Sequence, residues 1–289
     1  MTEKISHKMI TTGALAISMG LMAGAAQATF NSNCSGGGSS NPNCDTWTFN
    51  NTYTNTQGGI SASATGWANT VGSANVNLET AYVTQNGSAG LGVRNNDCPS
   101  GFASNCTGTG SGTDVSEGTS PEHAIDNNER VDSIMFTFSQ KVNLTSFNAG
   151  WVSGDSDYTV LAYTGSGTPT LAGLSYSGLL SNGWSLIGNY NGTSSTGAHD
   201  FVNSTYSSYW LIGAYNTMVG GAANGANATD DYFKLIALSG CTCANAPPGT
   251  PGCGGGGGGG VPEPGTLLLM SAGFIGLARI NRRRQVVGA

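Results

Sequence analysis

Two groups of carboxylates in the middle of the chain could bind a metal ion. Asp126 lies in a short acidic segment, and Asp155 and Asp157 lie in a turn that follows Gly154. Hard cations such as Ca²⁺ take six to eight oxygen ligands, mostly carboxylates and carbonyls on flexible loops. If the fold brings these segments together at one end, Asp126, Asp155 and Asp157 would supply part of a calcium site. The alternative is that they are solvated loop carboxylates, with Asp126 and Asp155 also capping turns.

The five tryptophans could provide a ring on which a sugar stacks. Trp184 and Trp210 lie in apolar runs, where aromatic side chains usually pack in the core. Trp67 and Trp151 lie next to glycine and polar residues, so we expect them to be the more exposed ones. Trp151 is therefore the candidate glycan contact.

Catalysis has little support in the residue pattern. A serine nucleophile needs a nearby base, and after removal of an N-terminal signal only His123 and His199 remain. The Gly-x-Ser-x-Gly elbow of α/β-hydrolases does not occur in the sequence. A pair of carboxylates could still serve a glycosidase, since only their separation in the fold matters. We expect no catalytic residues and a protein that is not an enzyme.

The charge balance excludes nucleic-acid binding. The 289 residues include 10 Lys and Arg against 16 Asp and Glu. Between Thr29 and Gly260 the Lys and Arg residues are Arg94, Arg130, Lys141 and Lys234. Nucleic-acid binding needs clustered cations to neutralise phosphates, and this region lacks such a cluster.

Short β-strands separated by turn residues account for most of the chain. Asn-Gly dipeptides, which suit tight turns, recur along it, and residues 133–139 place Ile134, Phe136 and Phe138 on one face by their period of two. No stretch of this region has the 3.6-residue apolar period of a helix. The pattern predicts an all-β ectodomain over residues 29–245, folded as a jelly-roll-like β-sandwich. Predicted strands are 46–49, 76–83, 133–139, 142–147, 158–163, 184–190, 209–215 and 232–238.

The N-terminus is typical of a secretory signal. Lys4, His7 and Lys8 precede an apolar run, and Ala26-Gln27-Ala28 fits a small-x-small cleavage site, so residues 1–28 are predicted to be a signal peptide. All seven cysteines then lie in the exported part, where disulfides persist. Their clustering predicts local pairs: Cys34 with Cys44, Cys98 with Cys106, and Cys241 or Cys243 with Cys253.

The C-terminal tail has three parts after a Pro/Gly-rich linker at residues 246–260. The rigid tetrapeptide Val261-Pro262-Glu263-Pro264 comes first, an uncharged apolar run at 266–278 follows, and Arg282, Arg283 and Arg284 lie in the basic end. A helix over this run would reach about 20 Å, against about 30 Å of membrane hydrocarbon. The arginines favour the cytoplasmic side, so the run is predicted to be a short, marginal inner-membrane span.

This order of motif, apolar run and arginines resembles the PEP-CTERM sorting signal of Gram-negative bacteria, here over residues 261–285. Asn281 interrupts the basic end, which is a minor departure. The resemblance implies recognition by an exosortase, a membrane protease. It also implies a temporary anchor in the inner membrane, followed by transfer of the ectodomain to the cell surface or extracellular matrix.

Residues 120–240 are also similar to a group of exosortase-dependent surface proteins. The similarity lies in the segments 120–127, 142–147 with Gly150-Trp151, 154–157 and 208–215. It implies location and fold more than mechanism. We therefore expect a structural or adhesive protein of the envelope or of the exopolysaccharide matrix of a biofilm. The alternative is a carbohydrate-binding module around Trp151 and Asp155, or a secreted glycan hydrolase.

Overall fold

β-Strands make up more than half of the described part of the protein, and its helices are short. A computed structural model describes residues 44–71, 76–97, 114, 117, 123–227 and 229–243. Strands β1 to β12 span, in chain order, Cys44–Thr48, Thr54–Gln57, Ile60–Val71, Asn77–Gln85, Leu91–Arg94, Ile125–Asp126, Asp132–Gly154, Tyr158–Tyr163, Trp184–Tyr190, Gly197–Asp200, Ser207–Ala214 and Asp231–Thr242. Short 3-10 helices lie at Gly87–Ala89, Tyr176–Asn182 and Thr217–Val219.

The 23-residue strand β7 organises the sheet. Its first half pairs antiparallel with β3, from Ala62 opposite Phe138 to Ala68 opposite Asp132. Its second half pairs with β12, from Asp231 opposite Gly154 to Thr242 opposite Val142. Because β12 also pairs with β5, β5 with β4 and β4 with β3, the sheet closes on itself. Strands β11, β8 and β9 extend it beyond β7, and β10 pairs with the second half of β7.

The alternation along β7 explains which side faces the core. Ile134, Phe136 and Phe138 are buried, whereas Met135 and Thr137 between them are partly exposed. The apolar core that these residues join is rich in aromatic rings, which each contribute on the order of 2–3 kcal/mol when buried. Its largest fully buried members are Trp47, Phe49, Phe136, Phe147, Phe201, Trp210 and Phe233.

A second apolar cluster covers another part of the sheet. Leu179 and Tyr176, from the 3-10 helix Tyr176–Asn182, pack there with Trp67 and Trp184. The prediction that Trp184 and Trp210 are core residues is confirmed, because both are buried. The expectation that Trp67 is exposed is wrong, because only 7% of it is accessible. Its sequence neighbours are the small residues Gly66 and Ala68, and its side chain joins the buried cluster that contains Tyr176 and Leu179.

The all-β prediction is confirmed, and the two-sheet sandwich is not. Hydrogen bonds join the twelve strands in one sheet, which β7 and β12 close. The segments 133–139 and 142–147, predicted as separate strands, are both parts of β7. In the part of the chain that the structure describes, no helix is long and apolar enough to cross a membrane.

The predicted ends lie outside the described residues. These are the signal peptide at 1–28, the linker at 246–260 and the sorting tail at 261–285. Cys44 takes part in a disulfide, and so does Cys243. The predicted pairs stay predictions, since each of them includes at least one of Cys34, Cys98, Cys106 and Cys253, which also fall outside the described ranges.

Candidate functional site

Three carboxylates meet where β7 ends, β8 begins and β12 begins. Asp155 follows the last residue of β7, Asp157 precedes β8, and Asp231 is the first residue of β12. One oxygen from each lies within 4.8 Å of the others, and Asp157 and Asp231 are buried. The pairing of β12 with β7 brings them together, since Asp231 lies opposite Gly154. We call Asp155, Asp157 and Asp231 the acidic cluster.

Amide groups hold the acidic cluster in place. The Asp157 carboxylate accepts the backbone N–H of Gly192 and that of Asn227, each at 2.7 Å. Asp231 accepts the backbone N–H of Asp157 at 2.8 Å and the side-chain amide of Asn127 at 2.7 Å. The carboxylates are thus oriented by donors from four separate segments, which fixes their positions before any ion arrives.

The close approach of three carboxylates changes the acidity of one of them. Burial, together with the neighbouring charges of Asp157 and Asp155, raises the pKa of Asp231 from 3.8 to about 8, while hydrogen bonds from Asp157 and Asn127 work against the rise. Without a cation, Asp231 therefore holds a proton near neutral pH. A divalent cation could replace that proton, because like charges this close favour either protonation or a metal.

The structure brings together two of the three residues predicted for calcium. Asp155 and Asp157 lie in the acidic cluster, where the third carboxylate is Asp231. Asp126 is buried on β6, opposite Tyr232 of β12, and its Oδ1 accepts the backbone N–H of Asn128 at 3.2 Å. Sequence reasoning missed Asp231, although an acidic pair at 230–231 directly before an apolar strand was a usable signal.

Trp151, the predicted glycan contact, lies on β7 opposite Lys234 of β12. It is partly exposed, and the Lys234 ammonium lies 4.6 Å from the centre of its ring. This cation–π contact covers part of the indole. The side chain is partly accessible, and a sugar that stacks on it would share the ring with Lys234.

A buried serine–histidine pair lies beside the acidic cluster. The hydroxyl of Ser156 is 2.9 Å from Nε2 of His199, and Nδ1 of His199 lies 3.1 Å from the Gly197 carbonyl. His199 also stacks on Phe147, with ring centres 4.7 Å apart. Burial lowers the pKa of His199, which favours the neutral ring. Ser156 is 0% and His199 4% exposed, and their contact joins β10 to the turn after β7.

The described residues define an all-β domain with a hydrogen-bonded acidic cluster. The C-terminal tail indicates how the protein is sorted. Residues 260–284 match the family model of the PEP-CTERM protein-sorting motif. The chain therefore carries this motif, which implies an exported protein that is sorted by an exosortase and anchored transiently at the membrane. No curated protein and no solved structure matches the chain.

Proposed function

We propose that this protein is a structural or adhesive component of the cell envelope or of the exopolysaccharide matrix. The observation that carries the proposal is the sorting motif at residues 260–284, since it directs the domain outwards. The composition supports it. Only 9% of residues are charged, and the chain is rich in Gly, Ser, Thr and Asn, whose amides and hydroxyls suit contact with hydrated polysaccharide.

A fractionation experiment tests the route and the location together. Cells with and without the exosortase are separated into membrane, surface and extracellular fractions, and the intact mass of the protein is measured in each. We expect a tail-bearing form in the membrane of cells without the protease. Cells with the protease should release a shorter form that lacks Arg284. Extracellular protein that still carries Arg284 would contradict the route.

The matrix role needs its own measurement. We expect cells that lack the gene to form a weaker matrix, and the wild-type protein to sediment with purified exopolysaccharide. A protein that is exported and processed normally, yet stays in the soluble extracellular fraction and leaves the matrix unchanged, would contradict the structural role while leaving the sorting intact.

A carbohydrate-binding module is the second candidate, favoured by the partly exposed Trp151. A Trp151→Ala protein that still folds should then lose binding on a glycan array. The hydrolase alternative would require turnover of matrix glycans by the purified protein.

Calcium binding at the acidic cluster also stays a prediction. The geometry of Asp155, Asp157 and Asp231 supports it.

A further inference from the structure

A surface cavity of about 330 Å³ includes Lys141 in its lining, next to the point where the register between β7 and β11 shifts. Ser207 of β11 lies opposite Val142 of β7, but Tyr209 lies opposite Thr137, so residues 138–141 of β7 have no partners on β11. A bulge of this kind bends a strand and points its side chains in a new direction. The residues that line the cavity are Lys141, Tyr163, Thr164, Gly165, Ser204, Thr205 and Tyr206.

One buried polar group of this lining makes no hydrogen bond within the described part of the chain. The hydroxyl of Tyr206 has no hydrogen-bond partner among the described residues, although the side chain is only 6% exposed. Burial raises its pKa to about 12, so the hydroxyl keeps its proton and can donate it. A buried hydroxyl without a partner is uncommon in native proteins and requires an explanation. A ligand in the cavity would supply one.

Lys141 is the cation of the lining, and it differs from the other cations of the domain. Arg130 pairs with Asp97 at 2.5 Å, Arg94 lies 2.8 Å from His123, and Lys234 lies over Trp151. Lys141 is exposed and makes no ion pair or hydrogen bond within the described ranges. Its charge is therefore available to an anionic group in the cavity.

We propose that this cavity binds a uronic acid unit, the carboxylated sugar of an acidic polysaccharide. Lys141 would pair with the carboxylate, and the hydroxyls of Ser204, Thr205 and Tyr206 would bind the sugar hydroxyls. The rings of Tyr163 and Tyr206 give the lining an aromatic part that suits the C–H groups of a pyranose. The cavity is at the lower end of the usual size range for ligand sites, which fits one sugar unit and not a long groove.

The inference rests on the proposed function in one respect, since only an exported protein meets matrix polysaccharide. The cavity itself plays no part in sorting. A Lys141→Gln protein should therefore be exported and processed like the wild type. A failure of export would bear on the proposed function alone, whereas binding to the purified protein tests the cavity alone.

The binding test uses the full chain purified in detergent micelles, with trigalacturonate as the acidic probe and maltotriose as the neutral one. Titration calorimetry should show binding of trigalacturonate, with maltotriose at least about tenfold weaker, the effect expected for one charge-assisted contact. Lys141→Gln should remove that preference. Tyr206→Phe should weaken binding without lowering the melting temperature, because the lost hydroxyl has no protein partner.

Lys234→Gln is the matched control, since it removes a cation elsewhere on the domain. We expect it to leave the affinity for trigalacturonate unchanged. Galacturonate monomer and acetate distinguish a sugar site from a general carboxylate site: the monomer should bind and acetate should not. Any of five results would overturn the proposal. Two concern the probes: equal affinity for both trisaccharides, or no binding at millimolar concentration. The others are binding unaffected by Lys141→Gln, a loss with Lys234→Gln instead, and acetate binding as tightly as the monomer.

Discussion

Asp231 makes the stability of the domain depend on pH in a direction opposite to that of most carboxylates. Its pKa is about 8 in the folded protein and has an ordinary value of 3.8. A raised carboxyl pKa contributes stability that is fully present below pH 4 and is lost as the pH rises towards 8. The stability should therefore fall between these values, with a slope of at most about 1.4 kcal/mol per pH unit from this group.

Thermal unfolding of the full chain from pH 4 to pH 9, in the presence of a chelator, measures this dependence. Asp231→Asn, which imitates the neutral carboxyl, should be more stable than the wild type at pH 8, and the difference should shrink towards pH 4. The histidines His123 and His199, whose pKa values are lowered, act in the opposite sense as the pH falls below 6.5. Asp230→Asn, an exposed neighbour, is the control. Parallel pH profiles for wild type and Asp231→Asn would refute the assignment.

Calcium should relieve the same repulsion. If Ca²⁺ binds the acidic cluster, it displaces the proton of Asp231, and an ion at ten times its dissociation constant stabilises the fold by about 1.4 kcal/mol. We expect the melting temperature at pH 7.5 to rise by a few degrees on addition of Ca²⁺ and to return with a chelator. Asp157→Asn should abolish the shift, and Asp200→Asn, a carboxylate outside the cluster, should keep it. A melting temperature indifferent to both Ca²⁺ and chelator would end the calcium hypothesis.

Strand β5 lies so close to the segment before β6 that the sheet has no room there for an added side-chain atom. A Cβ on Gly92 would lie 1.8 Å from the carbonyl oxygen of His123, which belongs to the backbone and cannot rotate away. Gly92→Ala should therefore destabilise the domain by about 1–3 kcal/mol, the usual cost of overpacking. Urea unfolding of the full chain measures the change.

Gly178→Ala is the control for this substitution. Its Cβ would lie 3.2 Å from the Ser175 hydroxyl, the end of a side chain that can move. We expect a change of less than about 1 kcal/mol there. A Gly92→Ala protein as stable as Gly178→Ala would show that β5 does not pack as described.

The strands also show what local sequence patterns can and cannot predict. The segments 158–163 and 184–190 were predicted with the bounds that β8 and β9 have, because apolar runs and flanking turns are local signals. The closure of the sheet depends on β7 pairing with β12 about 90 residues later, and no local pattern specifies such a pairing. For the same reason Asp155 and Asp157, two residues apart, were predicted to act together, whereas Asp231 was missed.

The two ends of the chain carry most of its positive charge. Residues 29–260 contain 14 acidic and 4 basic residues, a net charge of −10, whereas the full chain has −6. A form that keeps the tail but has lost the signal contains 15 acidic and 8 basic residues, a net charge of −7. A domain this acidic repels polyanions over about a Debye length. An acidic polysaccharide would therefore approach it most readily at a cation without an ion pair among the described residues, such as Lys141.

The difference in net charge between the forms with and without the tail gives a prediction about sorting. Cleavage near the Pro-Glu-Pro segment removes Glu263 and four arginines, so the released protein should be more acidic than the membrane form by three charges. Isoelectric focusing of the two fractions, followed by intact-mass measurement, should show the shift together with the loss of the tail mass. A Pro262→Ala/Pro264→Ala protein, which loses the rigid part of the motif, should remain in the membrane at the less acidic position. Membrane and extracellular forms that focus at one position would mean that the arginines leave with the domain, and that the tail is not where the chain is cut.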